Sequence, residues 1–281
     1  LSIISENDID IIFSGIDEEL AILAQNREII ESLGCTFVLP SVRLLNISFN
    51  KWESYKHCKN LVSQPKTLDG ESFLNDENAF NSFSKPFKLK ASKTRGNRNN
   101  YSIYTENDFL YYKNKFQDIG EEFIAQEFIH GSEFNVSLAM TKYQNPVYSI
   151  CREKLDHEPN TMAGAIRRNS FLEEKSIELA KQIGLYPGFS NFEYIRDEKG
   201  EYFLIDINGG RHAAQDYNLI ASGINLADIL CDLAFEDGLN PIDTSNIEDN
   251  VICIKYIDEL VVSEDVMKDR LINLVDINNK Y

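Results

Sequence analysis

The sequence has no long apolar run, few cysteines and a deficit of positive charge, and each absence excludes a class of protein. No stretch approaches the ~20 apolar residues that span a bilayer. The opening residues, LSIISENDIDIIF, lack the basic start and small-residue cleavage site of a secretion signal. The five cysteines (Cys35, Cys58, Cys151, Cys231 and Cys253) are odd in number and show no CxxC spacing, which argues against a disulfide framework or a zinc site. They read as reduced thiols among apolar segments, and the protein as cytoplasmic. Only 28 Lys and Arg stand against 45 acidic residues, a net charge of −17, which argues against the phosphate-neutralising surface of a duplex nucleic-acid binder. One dense basic stretch, 85–98, still leaves room for a nucleotide pocket. No initiator Met is present, so upstream sequence is expected.

What is present describes an ordinary globular chain. Its 281 residues, 43% apolar and 26% charged, suffice for two or three lobes. The pattern IDIIF at 9–13, an amphipathic segment at 17–33 stopped by Gly34, and TFVL at 36–39 predict a strand–helix–strand unit of a parallel sheet. It reads as the back half of a doubly wound domain. A helix at 51–58 and a loop ending at Pro65 follow. Next comes an α+β section, 71–130, with strands near 86–91, 101–104 and 123–129 and a helix near 106–116. Strands at 133–141 and 146–152 lead to a polar, loop-like stretch at 155–169. A helix then starts with Ser170 as N-cap and Glu173 as its capping-box partner. A last strong helix is capped by Asn225 and ended by Gly238.

The segment NFEYIRDEKGEYFLIDIN, 191–208, reads as a hairpin around the turn Asp-Glu-Lys-Gly. Closing it with Arg196 opposite Glu201 puts Glu193 opposite Leu204. Glu193, Asp206 and Asn208 then share a face, the two acids as diagonal neighbours about 7–8 Å apart. Two carboxylates and an amide on one surface repel unless a cation joins them, and an all-oxygen set suits Mg²⁺ or Mn²⁺. Spacing alone fits a solvated hairpin face equally well.

Taken with its flanks, NFEYI…FLIDINGGR resembles the NVQ…(E/D)INPR segment of ATP-grasp enzymes, particularly the carbamoyl-phosphate-synthase-like branch. That resemblance implies Glu193, Asp206 and Asn208 as ligands of the metals that bridge ATP phosphates. Other segments follow in the family's order. SGIDEELAILAQNREIIESLG (14–34) resembles the end of the family's N-terminal domain. NKWESY (50–55) resembles a helix start whose basic residue, here Lys51, reaches phosphate. FKLKASKTRGNRNN (87–100) resembles the strand and phosphate-covering loop, implying Lys90 and Gly96 as phosphate contacts. AQEFIHGSEFNV (125–136) resembles the adenine hinge, implying base contacts from Gln126, Glu127, Phe128 and Ile129 and ribose contacts from Glu133. Without the family, Lys90 reads as an edge-strand lysine, Glu133 as a surface acid and Gln126 as an ordinary polar strand residue.

The implied architecture is an ATP-grasp fold, two α+β lobes sandwiching ATP, after a partial Rossmann-like domain. Its expected boundaries are 1–48 for the N-terminal unit and 49–281 for the ATP-grasp part, with 71–130 as the ATP-covering lobe. Two features depart from the family: Thr94 and Asn99 stand where the loop usually has glycines, and the metal turn reads Asn208-Gly209-Gly210-Arg211, moving its arginine by one. The implied activity is ATP-dependent, Mg²⁺-assisted ligation of a small-molecule carboxylate to an amine, with Arg211, Arg152 and Lys154 as reaction-centre cations. Arg167 and Arg168 could serve similarly or form a surface basic pair. A homodimer is compatible with this reading, and neither nucleic acid nor membrane is an expected partner. The rival reading is a nucleotide-binding sensor or partner subunit without turnover.

Overall fold

The computed structural model describes residues 1–76, 78–93, 98–156, 162–213, 216–235 and 239–256. At the start, α1 (Ser2–Asn7) precedes the IDIIF segment, which makes no extended strand. It contributes one isolated parallel bridge, Ile11 to Thr36. The helix expected at 17–33 is broken into α2 (Asp17–Gln25) and α3 (Arg27–Ser32). Asn26 sits at the break, its amide donating to the Ile22 carbonyl at 2.8 Å, a local bond that competes with helix continuation. Leu20, Ile30, Phe37, Leu39 and Leu45 close a small core here. A helix the periodicity did not announce, α4 (Val42–Phe49), runs directly into α5 (Lys51–Cys58). The change of direction falls at Asn50, whose side-chain oxygen accepts from the Trp52 and Glu53 amides at 3.0 and 3.2 Å. Lys51 therefore sits on the first turn of α5, the helix boundaries the sequence suggested.

A four-stranded antiparallel sheet follows: β1 (Thr67–Asp69), β2 (Phe87–Ala91), β3 (Asn100–Ile103) and β4 (Phe123–Glu127), in the order β1-β4-β2-β3. One face packs on α6 (Gly70–Leu74) and α7 (Glu106–Asp118), through Phe73, Phe87, Leu89, Phe109 and Phe116. The strict alternation FKLKA in β2 buries Phe87, Leu89 and Ala91 there and leaves Lys88 and Lys90 on the other face.

The second sheet has six strands, antiparallel throughout. They are β5 (Gly131–Met140), β6 (Pro146–Lys154), β7 (Ala163–Ile166), β8 (Gly188–Asp197), β9 (Tyr202–Gly209) and β10 (Ile252–Ile254), ordered β10-β7-β6-β5-β8-β9. The 155–169 stretch thus contains a strand that its polar look concealed. One face packs on α8 (Ser170–Ile183), with Val136, Leu138, Phe192, Tyr194 and Leu204 against Leu172 and Leu179. The N-cap of α8 is Asn169, not Ser170: the Asn169 oxygen accepts from the Leu172 amide at 3.1 Å. Glu173 is drawn instead to the Cys151 amide and to Arg168. The opposite face is polar at one end and is covered at the other by α9 (Tyr217–Ala221) and α10 (Leu226–Phe235). Asn225 does cap α10, accepting from Ala227 and Asp228, while Gly238 lies outside the described residues. All five cysteines are unpaired. Among the described residues no helix is long and apolar enough to cross a membrane.

Candidate functional site

The hairpin forms where the sequence placed it, with a different register. Arg196 pairs with Tyr202 and Tyr194 with Leu204, but Glu193 pairs directly with Asp206, leaving Ile205 as an extra residue in a β-bulge. The expected placement of Glu193 opposite Leu204 is therefore corrected. A bulge re-aims everything beyond it, so Leu204 joins Tyr194 in the core while Asp206 turns to the polar face. Directly paired residues stand about 4.5–5.5 Å apart at Cβ. The two acids are closer than the simple alternation implied.

Register extends this pair into rows that cross four strands. Arg152 (β6), Asn135 (β5), Glu193 (β8) and Asp206 (β9) form one; Ile150, Ser137, Asn191 and Asn208 form the next. The Asn208 amide donates to Glu193 Oε1 at 3.2 Å, and its Oδ1 accepts from Arg211 Nη2 at 3.0 Å. Among the described residues no group of three His, Cys, Asp or Glu is placed to hold a metal ion. The set on this face is two carboxylates and an amide, the all-oxygen donor chemistry of a hard divalent cation.

Cations from two other elements converge on these acids. Lys51 Nζ lies 3.7 Å from Asp206 Oδ2. Lys90 Nζ donates to Gln126 Oε1 at 2.7 Å, and Gln126 in turn donates to Thr67 Oγ1 at 3.0 Å. Burial pushes the Lys90 ammonium down to about 8, helped by neighbouring Lys51 and Lys88 and opposed by Asp206 and Glu193. Burial likewise pushes the Glu193 carboxyl up to about 7, with Asp206 and Glu133 reinforcing and Lys51 and Arg211 opposing. Like charges therefore crowd on both sides of the site. A divalent cation would relieve the acids, and a polyphosphate would relieve the lysines.

The remaining expected residues divide. Glu127 Oε2 accepts from the Lys66 amide at 3.1 Å. Phe128 and Ile129 sit half-buried in the connection from β4 to β5. Gln126 is buried, its amide bonded to Lys90 and Thr67. Glu133 pairs with Lys154 at 3.1 Å, joining an expected ribose contact to an expected reaction-centre cation. Arg152 is fully buried and is ion-paired to Asp216 at 2.6 Å. It also donates to Asn135 Oδ1 at 2.7 Å and Ser137 Oγ at 2.6 Å. The expectation of a substrate-facing Arg152 is corrected: its guanidinium is buried against Asp216, Asn135 and Ser137 on the same face of the sheet. Arg167 and Arg168 pair with Glu153 and Glu173 and form no shared anion site.

The shifted arginine still reaches Asn208, at the end of β9. Gly210 has φ +84°, and a Cβ there would lie 2.8 Å from Leu45 Cδ2; one on Gly209 would lie 2.9 Å from Ser48 Oγ. The paired glycines let the turn press onto α4, which brings Arg211 to both Asn208 and Asp17. Gly96 lies outside the described residues. Asn99 has φ +48°, a left-handed conformation that Asn tolerates where a glycine is usual. Two residues escaped the sequence reading. Lys88, whose nitrogen donates to Ser102 at 2.8 Å, was signalled by the β2 alternation. Asp17, the partner of Arg211, carried no local signal.

No family model matches the chain. A D-alanine–D-alanine ligase from Petrotoga mobilis is 24% identical over 163 residues, covering 56% of this chain and 53% of the ligase. The chain thus spans about half the length of that curated relative. The biotin carboxylase domain of the 2-oxoglutarate carboxylase from Hydrogenobacter thermophilus, solved with MgADP, ADP and bicarbonate, matches with a TM-score of 0.72 at 20% identity. That match covers 89% of this chain and 58% of the other. An L-amino acid ligase from Bacillus licheniformis matches with a TM-score of 0.65 at 15% identity, over 88% of this chain and 61% of the ligase. Two antiparallel sheets meeting at a polar face, and these likenesses in sequence and structure, identify the chain as having the fold of the ATP-grasp superfamily.

Proposed function

We propose that the protein is an ATP-dependent ligase that activates a carboxylate as an acyl phosphate and joins it to an amine. The observation that carries this reading is the crowding of Glu193 and Asp206 against Lys51 and Lys90 on one face. In this reading Glu193, Asp206 and Asn208 hold Mg²⁺ or Mn²⁺, which when bound neutralises charge on the transferred phosphoryl group. Lys51 and Lys90, joined by Lys88, hold phosphate oxygens. Glu127, Phe128 and Ile129 border the base, and Glu133 the ribose. Arg211, fixed by Asn208 and Asp17, contacts one of these ligands directly, and Lys154 stands one row further along the sheet. The 71–130 section acts as the ATP-covering lobe over a 49–281 ATP-grasp unit, with 1–48 as the preceding unit.

The chemistry is a displacement in two parts. A carboxylate oxygen attacks the γ-phosphorus and ADP leaves; the amine nitrogen then attacks the acyl carbon, phosphate leaves and the amine loses a proton to solvent. The residues contribute positioning and charge neutralisation, not acid–base catalysis. Hydroxylamine can stand in for the unknown amine. Incubation with Mg²⁺-ATP, hydroxylamine and pooled carboxylic acids is expected to yield hydroxamate and ADP in equal amounts, and Asp206→Ala is expected to abolish both.

A second reading, a nucleotide binder without turnover, is favoured by the pairing of Lys154 with Glu133 and the burial of Arg152. It predicts ATP binding that survives Asp206→Ala, with no hydroxamate from any pool.

A further inference from the structure

Two contacts seat the turn after β9 against the start of α2. Gly210 lies against Leu20: a Cβ on the glycine would stand 3.2 Å from Leu20 Cδ1. Three residues earlier, and so on the same side of the helix, Asp17 accepts a hydrogen bond from Arg211 Nε. Asn208 Oδ1 accepts from Nη2 of the same guanidinium at 3.0 Å. One planar group is thereby held by two acceptors, one from the N-terminal unit and one from β9. Among the described residues Nη1 makes no hydrogen bond, so the direction of the donors still available is set by the two that are bound. Both partners of the ion pair are mostly buried, Arg211 at 19% exposed and Asp17 at 18%. Asp17 stands at the first position of α2, and Glu19 on the same turn takes its own hydrogen bond from Ser14 at 2.6 Å.

We infer that Asp17 is a positioning residue for the reaction: it holds Arg211 so that the remaining guanidinium donors meet the charge that develops on phosphoryl oxygens beside Asn208. The inference rests on the ligase reading above. It extends the working site beyond 49–281, since the residue that sets the arginine belongs to the preceding unit. A free arginine stem samples many rotamers, and bonding two of its nitrogens removes that freedom before substrate arrives. A reacting group displaced by about 1 Å can cost roughly 100-fold in rate. Loss of Asp17 leaves the guanidinium bonded to Asn208 alone, free to turn about that single contact. The consequence falls on turnover and spares the binding of ATP, whose phosphate contacts in this reading are Lys51, Lys88 and Lys90.

The test measures kcat, the KM for ATP and the melting temperature of wild type, Asp17→Ala, Asp17→Asn and Glu19→Ala. Turnover is read in the Mg²⁺-ATP and hydroxylamine reaction, with an acid from the pool that the wild type uses. Asp17→Ala is expected to lower kcat by about tenfold or more while the KM for ATP stays within about twofold. Asp17→Asn keeps an oxygen acceptor for Nε and is expected to retain about a third or more of the wild-type kcat. Glu19→Ala removes an acid from the same helical turn without touching Arg211, so it lowers the melting temperature comparably and leaves kcat unchanged. Asp17→Ser, whose side chain suits a helix start but is too short to reach the guanidinium, serves if the alanine variant does not fold. A kcat for the Asp17 variants within about twofold of wild type, an equal fall in Glu19→Ala, or a loss expressed in the KM for ATP overturns the role of Asp17 and leaves the ligase reading standing. No hydroxamate from the wild type with any acid overturns the ligase reading, and the role of Asp17 with it.

Discussion

Two charged clusters lie on the same face of the six-stranded sheet, and they handle charge in opposite ways. Around Arg152, opposite charges are paired: Asp216 faces the guanidinium, Asn135 and Ser137 accept from it, and Ser137 donates to Asp216 at 2.7 Å, while the buried Nε makes no hydrogen bond. Two strands away, Glu193 and Asp206 oppose each other directly, and Lys51, Lys88 and Lys90 crowd together above them. Paired opposite charges need no outside ion to be buried. Separated groups of like charge displace each other's protonation and are relieved by an added ion pair from outside. The contrast separates scaffold from site more sharply than residue type does, since both clusters contain an acid, a base and an asparagine.

The largest effect is expected around Arg152. Arg152→Ala leaves Asp216 buried without its partner and should cost about 3–5 kcal/mol in urea unfolding. A double substitution that also removes the acid, Arg152→Met with Asp216→Leu, should recover much of that loss; failure to recover would show that the unpaired Asp216 charge is not its source. Asp206→Ala should do the reverse. Stability should stay within ~1 kcal/mol of wild type or rise, because a repulsive pair is removed. Mg²⁺-dependent ATP affinity, followed by calorimetry, should fall about 100-fold.

A smaller effect sharpens the Lys90 side. Its ammonium is held down to about 8, so it is charged below that pH and neutral above it. Phosphate binding needs the charged form. ATP affinity should therefore weaken by up to tenfold per unit as pH rises above 8. Lys90→Arg stays charged throughout and should flatten the profile; a slope that persists in that variant would assign the titration elsewhere.

Much of this was legible in the sequence where the signal was local. The alternation in FKLKA exposed the face of β2 that carries Lys88 and Lys90, and the NKWESY segment placed Lys51 on a first helical turn. The hairpin, its turn and the shared face of Glu193, Asp206 and Asn208 were also readable. Period-two and period-3.6 patterns survive folding because each residue's face depends on its immediate neighbours.

Tertiary structure alone decided what depended on distant partners. The bulge at Ile205 moved Leu204 into the core and set Glu193 directly against Asp206, a choice made by packing against α8 that alternation within the strand does not encode. Arg152 looked like a candidate for chemistry until Asp216, 64 positions later, closed over it. Gln126 bonded to Lys90, and Arg211 found Asp17 across the chain, because buried polar groups must take whichever partners the fold brings to them. By itself the sequence determined which residues carry charge and on which face; the fold determined which charges cancel and which remain available to a ligand.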